Sequence, residues 1–154
     1  MNNWFECKVS YDKAGESGMS KRVTEPYLVD ALSFTEAEAR IIEELRPYIS
    51  GEFTVVDIKR ARITELFFNP AGDRYYRIKV FFVTFDEKSG AEKKTAVQML
   101  AQASTVREAT EIVEEGMKGT MADYVIAAVT ETPLIDIFPF SSETKKKVEI
   151  EVSG

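Results

Sequence analysis

The sequence predicts an α+β fold made by internal duplication of a β-β-α-β unit, with two helices packed on antiparallel sheet. Three observations lead to this prediction. Stretches of alternating apolar and polar residues indicate half-buried strands, two helix-capping motifs recur at nearly the same spacing, and the pattern of the first half of the chain returns in the second. Each unit spans about seventy residues.

The duplication emerges when the chain is aligned with itself. Residues 4–9 align with residues 75–80 at an offset of 71, and residues 53–58 align with 124–129 at the same offset. Between them the offset is 72, which one inserted residue and one lost residue would explain. Identity between the halves is low, so the prediction rests on order, period and residue type. The alternative is two unrelated segments with the same succession of strands and helix.

We place the first repeat at residues 1–70 and the second at 71–140. A tail follows at residues 141–154, in which the alternation of residues 145–152 predicts an edge strand. Between the repeats, the Asn69–Gly72 segment has strong turn chemistry. We therefore expect a tight hairpin from Phe67 to Tyr76, with Gly72 at a positive φ.

The strands of the first half are indicated by alternation and by a glycine-containing loop. Apolar side chains recur at every second position at the start of the chain, at Phe5, Cys7, Val9 and Tyr11. A polar loop at residues 12–19 separates this strand from a second one at 22–31, and a third strand is expected at 53–60. In the second half, the loop at residues 86–90 is the counterpart of the loop at residues 12–19.

Two capping boxes mark the helix starts. Ser33 is followed three residues later by Glu36, and Thr105 by Glu108, so each hydroxyl can accept from the backbone of its glutamate. Apolar residues then recur at helical spacing. We expect helices over Phe34–Arg46 and Val106–Glu115, the second capped by Gly116.

Composition excludes several kinds of catalytic site. The chain has no histidine and one cysteine, so a Ser-His-Asp or Cys-His site and a thiolate- or imidazole-rich zinc site are excluded. Glycine-rich phosphate and dinucleotide motifs are missing as well. The acidic pairs at 43–44 and 114–115 fit a solvated helix surface, although an oxygen-only magnesium site stays open. We predict a protein that is not an enzyme and has no catalytic residue, cofactor or resident metal, with Cys7 in the core.

The sequence also predicts a cytoplasmic protein without a membrane partner. No apolar run is long enough to span a bilayer, no signal peptide precedes Trp4, and a lone cysteine cannot form an internal disulfide. The net charge of −6 lowers the expectation of a nucleic-acid partner without excluding a local basic patch.

One strand face combines aromatic and basic residues and suggests binding of single-stranded nucleic acid. Such a face would stack bases on aromatic rings and bind phosphates through its cations. Its members are Trp4, Lys8, Tyr75, Arg77 and Lys79, with added charge from Lys59, Arg60 and Arg62. The alternative is an ordinary strand face, and the apolar residues at 81, 83 and 85 indicate that it is partly covered.

Protein association is the function that the sequence favours most. Apolar stretches at 67–68, 134–135 and 137–140 lie near the ends of the two halves, where they either close the core or form a patch for a partner or a second copy. We therefore expect a non-enzymatic binding or assembly module that acts through protein–protein contacts or self-association, with a homo-oligomer or a protein partner. Single-stranded nucleic-acid binding is the alternative.

Three segments carry a family resemblance: the start of the chain through Val9, the run from Glu25 to Arg40, and Lys118–Met121. In these segments, and over nearly its whole length, the chain resembles a domain-of-unknown-function family of gut Bacteroidales and their mobile elements or phages. The resemblance implies a bacterial cytoplasmic setting. It implies no activity, cofactor or functional residue.

Overall fold

The computed structural model describes residues 3–140. These residues form two compact units, one of residues 3–62 with 133–140 and the other of residues 63–132. Within the described range there are two helices and mostly strands, which confirms the α+β class. In chain order the elements are β1 (Trp4–Ala14), β2 (Ser20–Asp30), α1 (Phe34–Leu45), β3 (Phe53–Ala61), β4 (Glu65–Phe67), β5 (Arg74–Phe85), β6 (Glu92–Ala103), α2 (Val106–Gly116), β7 (Asp123–Glu131) and β8 (Asp136–Phe138).

The first unit is a sheet with the strand order β3-β1-β2-β8. β1 is antiparallel to β2 and β3, whereas β8 is parallel to β2. The core lies between one face of this sheet and α1. The alternating apolar residues predicted for the first strand point into it. Its buried members include Phe5, Cys7, Val9, Tyr27, Val29, Ala37, Ile41 and Leu45.

The second unit repeats this arrangement in a sheet with the order β4-β6-β5-β7. β5 is antiparallel to β6 and β7, and β4 is parallel to β6. Its core lies between the sheet and α2, and includes Tyr76, Ile78, Val80, Met99, Ala101, Ala109, Ile112 and Val113.

Both predicted capping boxes form. The Ser33 and Thr105 hydroxyl oxygens each accept from the backbone N–H three residues ahead, at 3.1 Å in both cases. Each glutamate reaches back to the residue before the cap: Glu36 accepts from the Leu32 N–H and Glu108 from the Ser104 N–H. The observed helices differ from the predicted ones by one residue, at the C-terminal end of each.

A β-bulge occurs at the same place in each sheet. Along β1 the pairing with β3 shifts between residues 8 and 9, which leaves Val56 as the extra residue of β3. Along β5 the pairing with β7 shifts between residues 79 and 80, which leaves Ala127 as the extra residue of β7. The extra residue shifts the alternation of its strand by one position. Side chains after the bulge therefore point to the opposite sheet face from the one that simple alternation would predict.

The compact units divide the chain differently from the predicted repeats. β4 comes at the end of the predicted first repeat but belongs to the second sheet, and β8 comes at the end of the predicted second repeat but belongs to the first sheet. The bounds 1–70 and 71–140 therefore stay a prediction of where the sequence repeats, and they are not the bounds of the compact units. The tail at 141–154, with its predicted edge strand, lies outside the described residues.

The predicted hairpin between Phe67 and Tyr76 is wrong. β4 pairs in parallel with β6, so it does not turn back along β5. The turn itself forms, because the Gly72 N–H donates to the Asn69 carbonyl at 2.9 Å and the Asn69 side chain accepts from the Ala71 N–H at 3.3 Å.

The expectation that Gly72 has a positive φ is wrong. Glycine is needed in this turn because there is no room for a side chain. A Cβ at this position would lie 2.5 Å from the backbone N and Cα of Ala103. The turn is therefore held against the end of β6. The Gln102 side chain fixes it there by accepting from the Asn69 N–H at 3.0 Å and donating to the Gly72 carbonyl at 3.1 Å.

We predict that Gly72→Ala lowers the free energy of unfolding by about 1–3 kcal/mol, because the added methyl group meets backbone that cannot rotate away. Chemical denaturation followed by circular dichroism measures the change. Ala71→Ser, at the neighbouring exposed position of the same turn, is the control and should stay within about 0.5 kcal/mol of the wild type. Equal stability of the Gly72 variant and the wild type would contradict the close approach.

Candidate association site

The aromatic residues of the proposed nucleic-acid face are buried. Trp4 is 4% exposed and Tyr75 is 5% exposed. Base stacking needs an accessible ring face, so the expectation that these two rings form an open stacking surface is wrong. Alternation along the strands correctly placed them on the sheet face opposite Phe5 and Tyr76, but alternation cannot show whether that face is covered.

The basic residues of the same proposal are mostly exposed, and half of them have contacts of their own. Arg77, Lys79, Lys59, Arg60 and Arg62 are exposed and Lys8 is half-buried. Three of them are engaged locally. Lys59 lies 3.9 Å from Glu6, the Arg60 guanidinium lies 5.4 Å from the centre of the Phe5 ring, and the Lys79 ammonium lies 5.1 Å from that of Phe81.

The apolar stretches near the ends of the halves are mostly used inside the fold. Phe67, Phe68, Leu134 and Ile137 are at most 8% exposed. Phe140 is 61% exposed, and its ring lies against the Arg40 guanidinium at 5.3 Å. These stretches therefore contribute to the core more than to a continuous outer patch.

Sequence analysis did not show which strands form the edges of the two sheets. Among residues 3–140, each sheet ends in one three-residue strand and one nine-residue strand: β8 and β3 in the first sheet, β4 and β7 in the second. A strand at an edge presents backbone N–H and C=O groups that another strand can pair with. The two long edges, β3 and β7, offer the most such groups.

The long edges differ in charge. On the sheet face away from the helix, β3 carries Thr54, Asp57 and Lys59, and the equivalent positions of β7 are Val125, Ala128 and Thr130. The equivalence follows from the pairing, because Asp57 lies opposite Lys8 of β1 and Ala128 lies opposite Lys79 of β5.

No charged residue, glycine or proline occurs from Tyr124 to Thr130. Charges on an edge strand keep other strands from pairing with it, and β7 has none in this central segment. The uncharged run is visible in the sequence, but its position at an edge depends on the order of strands.

Apolar side chains continue next to this edge. Phe81 and Val83 on β5 are half-buried, and Val125 beside them is 51% exposed. In the first sheet the positions aligned with Phe81 and Val83 are Ser10 and Asp12. Among the strands of residues 3–140, β7 is an edge of the second sheet, and it combines outward backbone groups with an apolar strip that a partner could bury.

A polar cluster occupies the core margin of the first unit. The Glu25 carboxylate accepts from the Tyr11 hydroxyl at 2.6 Å and from the Tyr27 hydroxyl at 3.2 Å, and pairs with Lys13 at 3.4 Å. Burial, as the main cause, and the hydrogen bond to Glu25, as the second, raise the pKa of Tyr11 to about 12. Burial raises the pKa of Tyr27 as well. The four side chains of this cluster are linked through Glu25, as expected of a structural network.

Cys7 lies in the core of the first unit, as predicted, at 0% exposure. Burial raises the pKa of its thiol to about 12, and the nearby charges of Glu6 and Asp57 act in the same direction. The thiolate is the reactive form of cysteine. This side chain is therefore protected both because reagents cannot reach it and because it stays protonated.

Other chemistry finds little support in the described residues. Within residues 3–140, no three carboxylate or thiol side chains come together in a way that could hold a metal ion. A groove of about 460 Å³ lies beside the end of α1 and the start of β3, where Arg46 and Glu52 flank Ile42, Ile49 and Phe53. It contains one carboxylate and no converging acid–base pair. Neither helix in the described range is long and apolar enough to cross a membrane.

We predict that Cys7 in the folded protein reacts with a thiol reagent such as dithionitrobenzoate at pH 8 at least about a hundredfold more slowly than in the unfolded protein. The release of thionitrobenzoate with and without guanidinium measures both rates, and the unfolded sample is the control for total thiol. Fast reaction of the folded protein would contradict the core position.

We also predict an alkaline loss of stability to which Tyr11 contributes. Its folded pKa is about 12, above the ordinary value of about 10. The folded state therefore keeps a proton that the unfolded state loses. The stabilisation is fully present below pH 10 and is lost as the pH rises through the folded value.

In Tyr11→Phe the fall in unfolding free energy between about pH 10 and 12 should be shallower than in the wild type. Urea unfolding at several pH values measures this slope. Tyr48→Phe is the matched control, because Tyr48 is 77% exposed. Identical slopes for Tyr11→Phe and the wild type would contradict the assignment.

Comparison with known proteins adds a family and no activity. Residues 3–140 match a family model described as a domain of unknown function. No curated protein matches the sequence.

Proposed function

Since the chain belongs to the domain-of-unknown-function family DUF4494, its role has to be inferred from its geometry, and we propose that it is a non-enzymatic assembly module. It associates with another protein chain by strand addition at β7. The observation that carries this proposal is the nine-residue edge strand with an uncharged centre.

Strand addition suits this edge for two reasons. Main-chain hydrogen bonds to the outward N–H and C=O groups of β7 supply the pairing, and side chains on alternate positions supply selectivity. The half-buried Phe81 and Val83 and the exposed Val125 supply apolar surface that becomes buried on association. A net charge of −6 keeps the rest of the surface repulsive toward non-specific contacts.

Single-stranded nucleic-acid binding ranks below association, because Trp4 and Tyr75 are buried and the overall charge is negative. As further parts of the proposal, we place the protein in the bacterial cytoplasm, in the Bacteroidales and mobile-element setting that the sequence resemblance implies. We also expect it to act without cofactor or metal.

We predict that the sedimentation mass of the wild type rises with concentration between about 1 and 200 µM, a range that covers weak and moderate self-association. Val125→Lys should raise the dissociation constant at least about tenfold, because a lysine on an edge strand opposes pairing. Sedimentation equilibrium measures the dissociation constant.

Thr54→Lys is the matched control, at the equivalent position of β3, and should associate like the wild type. Circular dichroism checks that both variants fold. A wild type that remains monomeric over the whole range, or equal weakening by the two substitutions, would count against association through β7.

A further inference from the structure

We infer that the strand which adds to β7 is β7 of a second copy, so that the two edges form a closed, antiparallel, twofold-symmetric dimer. In this dimer Val125 lies opposite Ala128 of the second copy. The inference rests on the proposed function and names the partner of the same site. It follows from the bulge, from the charges at the ends of β7 and from the difference between β7 and β3.

The bulge determines which residues can lie opposite one another. Tyr124, Ile126 and Val129 pack toward the core under α2. Val125 pairs with Phe81 and Ala128 pairs with Lys79, and the contact between Lys79 and Phe81 places both on the outer face. Because Ala127 is the extra residue, Val125 and Ala128 share a face although three positions separate them.

Residues that lie opposite one another in an antiparallel pair point to the same face. In a twofold pair of β7 strands, each outer residue on one side of the bulge must therefore meet an outer residue on the other side. The register that pairs Val125 with Ala128 satisfies this, since it also pairs Tyr124 with Val129 on the core side and Asp123 with Thr130 on the outer side. The twofold axis then passes between Ile126 and Ala127, and the two bulges lie side by side.

The same register keeps like charges apart. β7 begins with Asp123 and ends with Glu131, and a register that placed these two opposite each other would cost stability. The bulge excludes it, because Asp123 pairs with Val83 on the outer face and Glu131 pairs with Tyr76 on the core side. In the inferred register Glu131 lies beyond the last pair and keeps its ion pair with Arg74, at 3.3 Å.

Pairing of β7 with β3 of another copy is the main competitor. It would be a head-to-tail contact, which leaves one β3 and one β7 free at the ends and continues into longer assemblies unless it closes into a ring. It would also bring the charges of Asp57 and Lys59 against the uncharged residues of β7. A β7–β7 pair has neither problem, and it uses the open edge of both copies.

The test is a cysteine pair, Val125→Cys with Ala128→Cys. Within one chain these residues are three positions apart, about 10 Å along a strand, which is too far for a disulfide. Across the inferred interface, the cysteine at position 125 of each copy lies opposite the cysteine at position 128 of the other copy. Mild oxidation should convert most of the protein into a disulfide-linked dimer that reducing agent separates.

Two matched variants serve as controls. Val125→Cys with Thr130→Cys tests the neighbouring register that also matches faces, and Thr54→Cys with Asp57→Cys places the same pair on β3. Both should cross-link at least about tenfold more slowly, because their sulfur atoms are not brought together. Circular dichroism checks that each variant folds, and the sedimentation mass of the unmodified wild type gives the size of the assembly independently of any cysteine.

The outcomes separate this inference from the proposed function. Rapid cross-linking of the 125/128 pair, with a wild-type mass that stops at two chains, supports the twofold dimer. A wild-type mass that depends on concentration without 125/128 cross-linking, or that grows past two chains, overturns the inferred partner and register and leaves association in place. A monomer that does not cross-link overturns both.

Discussion

Backbone hydrogen-bonding groups at the edges of an open sheet need a partner or a means of protection, and this requirement organises the molecule. In the described residues, two of the four edges are strands of only three residues, β4 and β8. A third, β3, carries Asp57 and Lys59 on its outer face. Short length and charge are both means by which natural edges avoid unwanted pairing. β7 has the length of β3 without its charges.

Local signals in the sequence predict the helices well and the short strands poorly. Both capping boxes depend on residues three positions apart, so Ser33 and Thr105 fix the helix starts without reference to the rest of the chain. β4 and β8 have three residues each and pair in parallel with strands far away in sequence. No short-range pattern indicates such pairing, and the turn at Asn69–Gly72 therefore suggested a hairpin that does not form.

The candidate site shows the same division between local and non-local information. Alternation places Trp4 and Tyr75 on the face opposite the helices, but their burial depends on what covers that face. The uncharged run from Tyr124 to Thr130 is equally visible in the sequence. Its meaning changes with position, because the same run in a central strand would be ordinary core and at an edge it is a surface for pairing.

The difference between the two long edges also bears on how large an assembly can become. A chain with two open edges can add a copy at each and grow without limit, whereas a chain with one open edge is used up when two copies pair. Here β3, with charges on its outer face, and β7, with an uncharged centre, occupy equivalent positions in sheets of the same strand arrangement. Because the bulge at Ala127 sets the register and the charges of β3 block the second edge, pairing through β7 would end at a dimer.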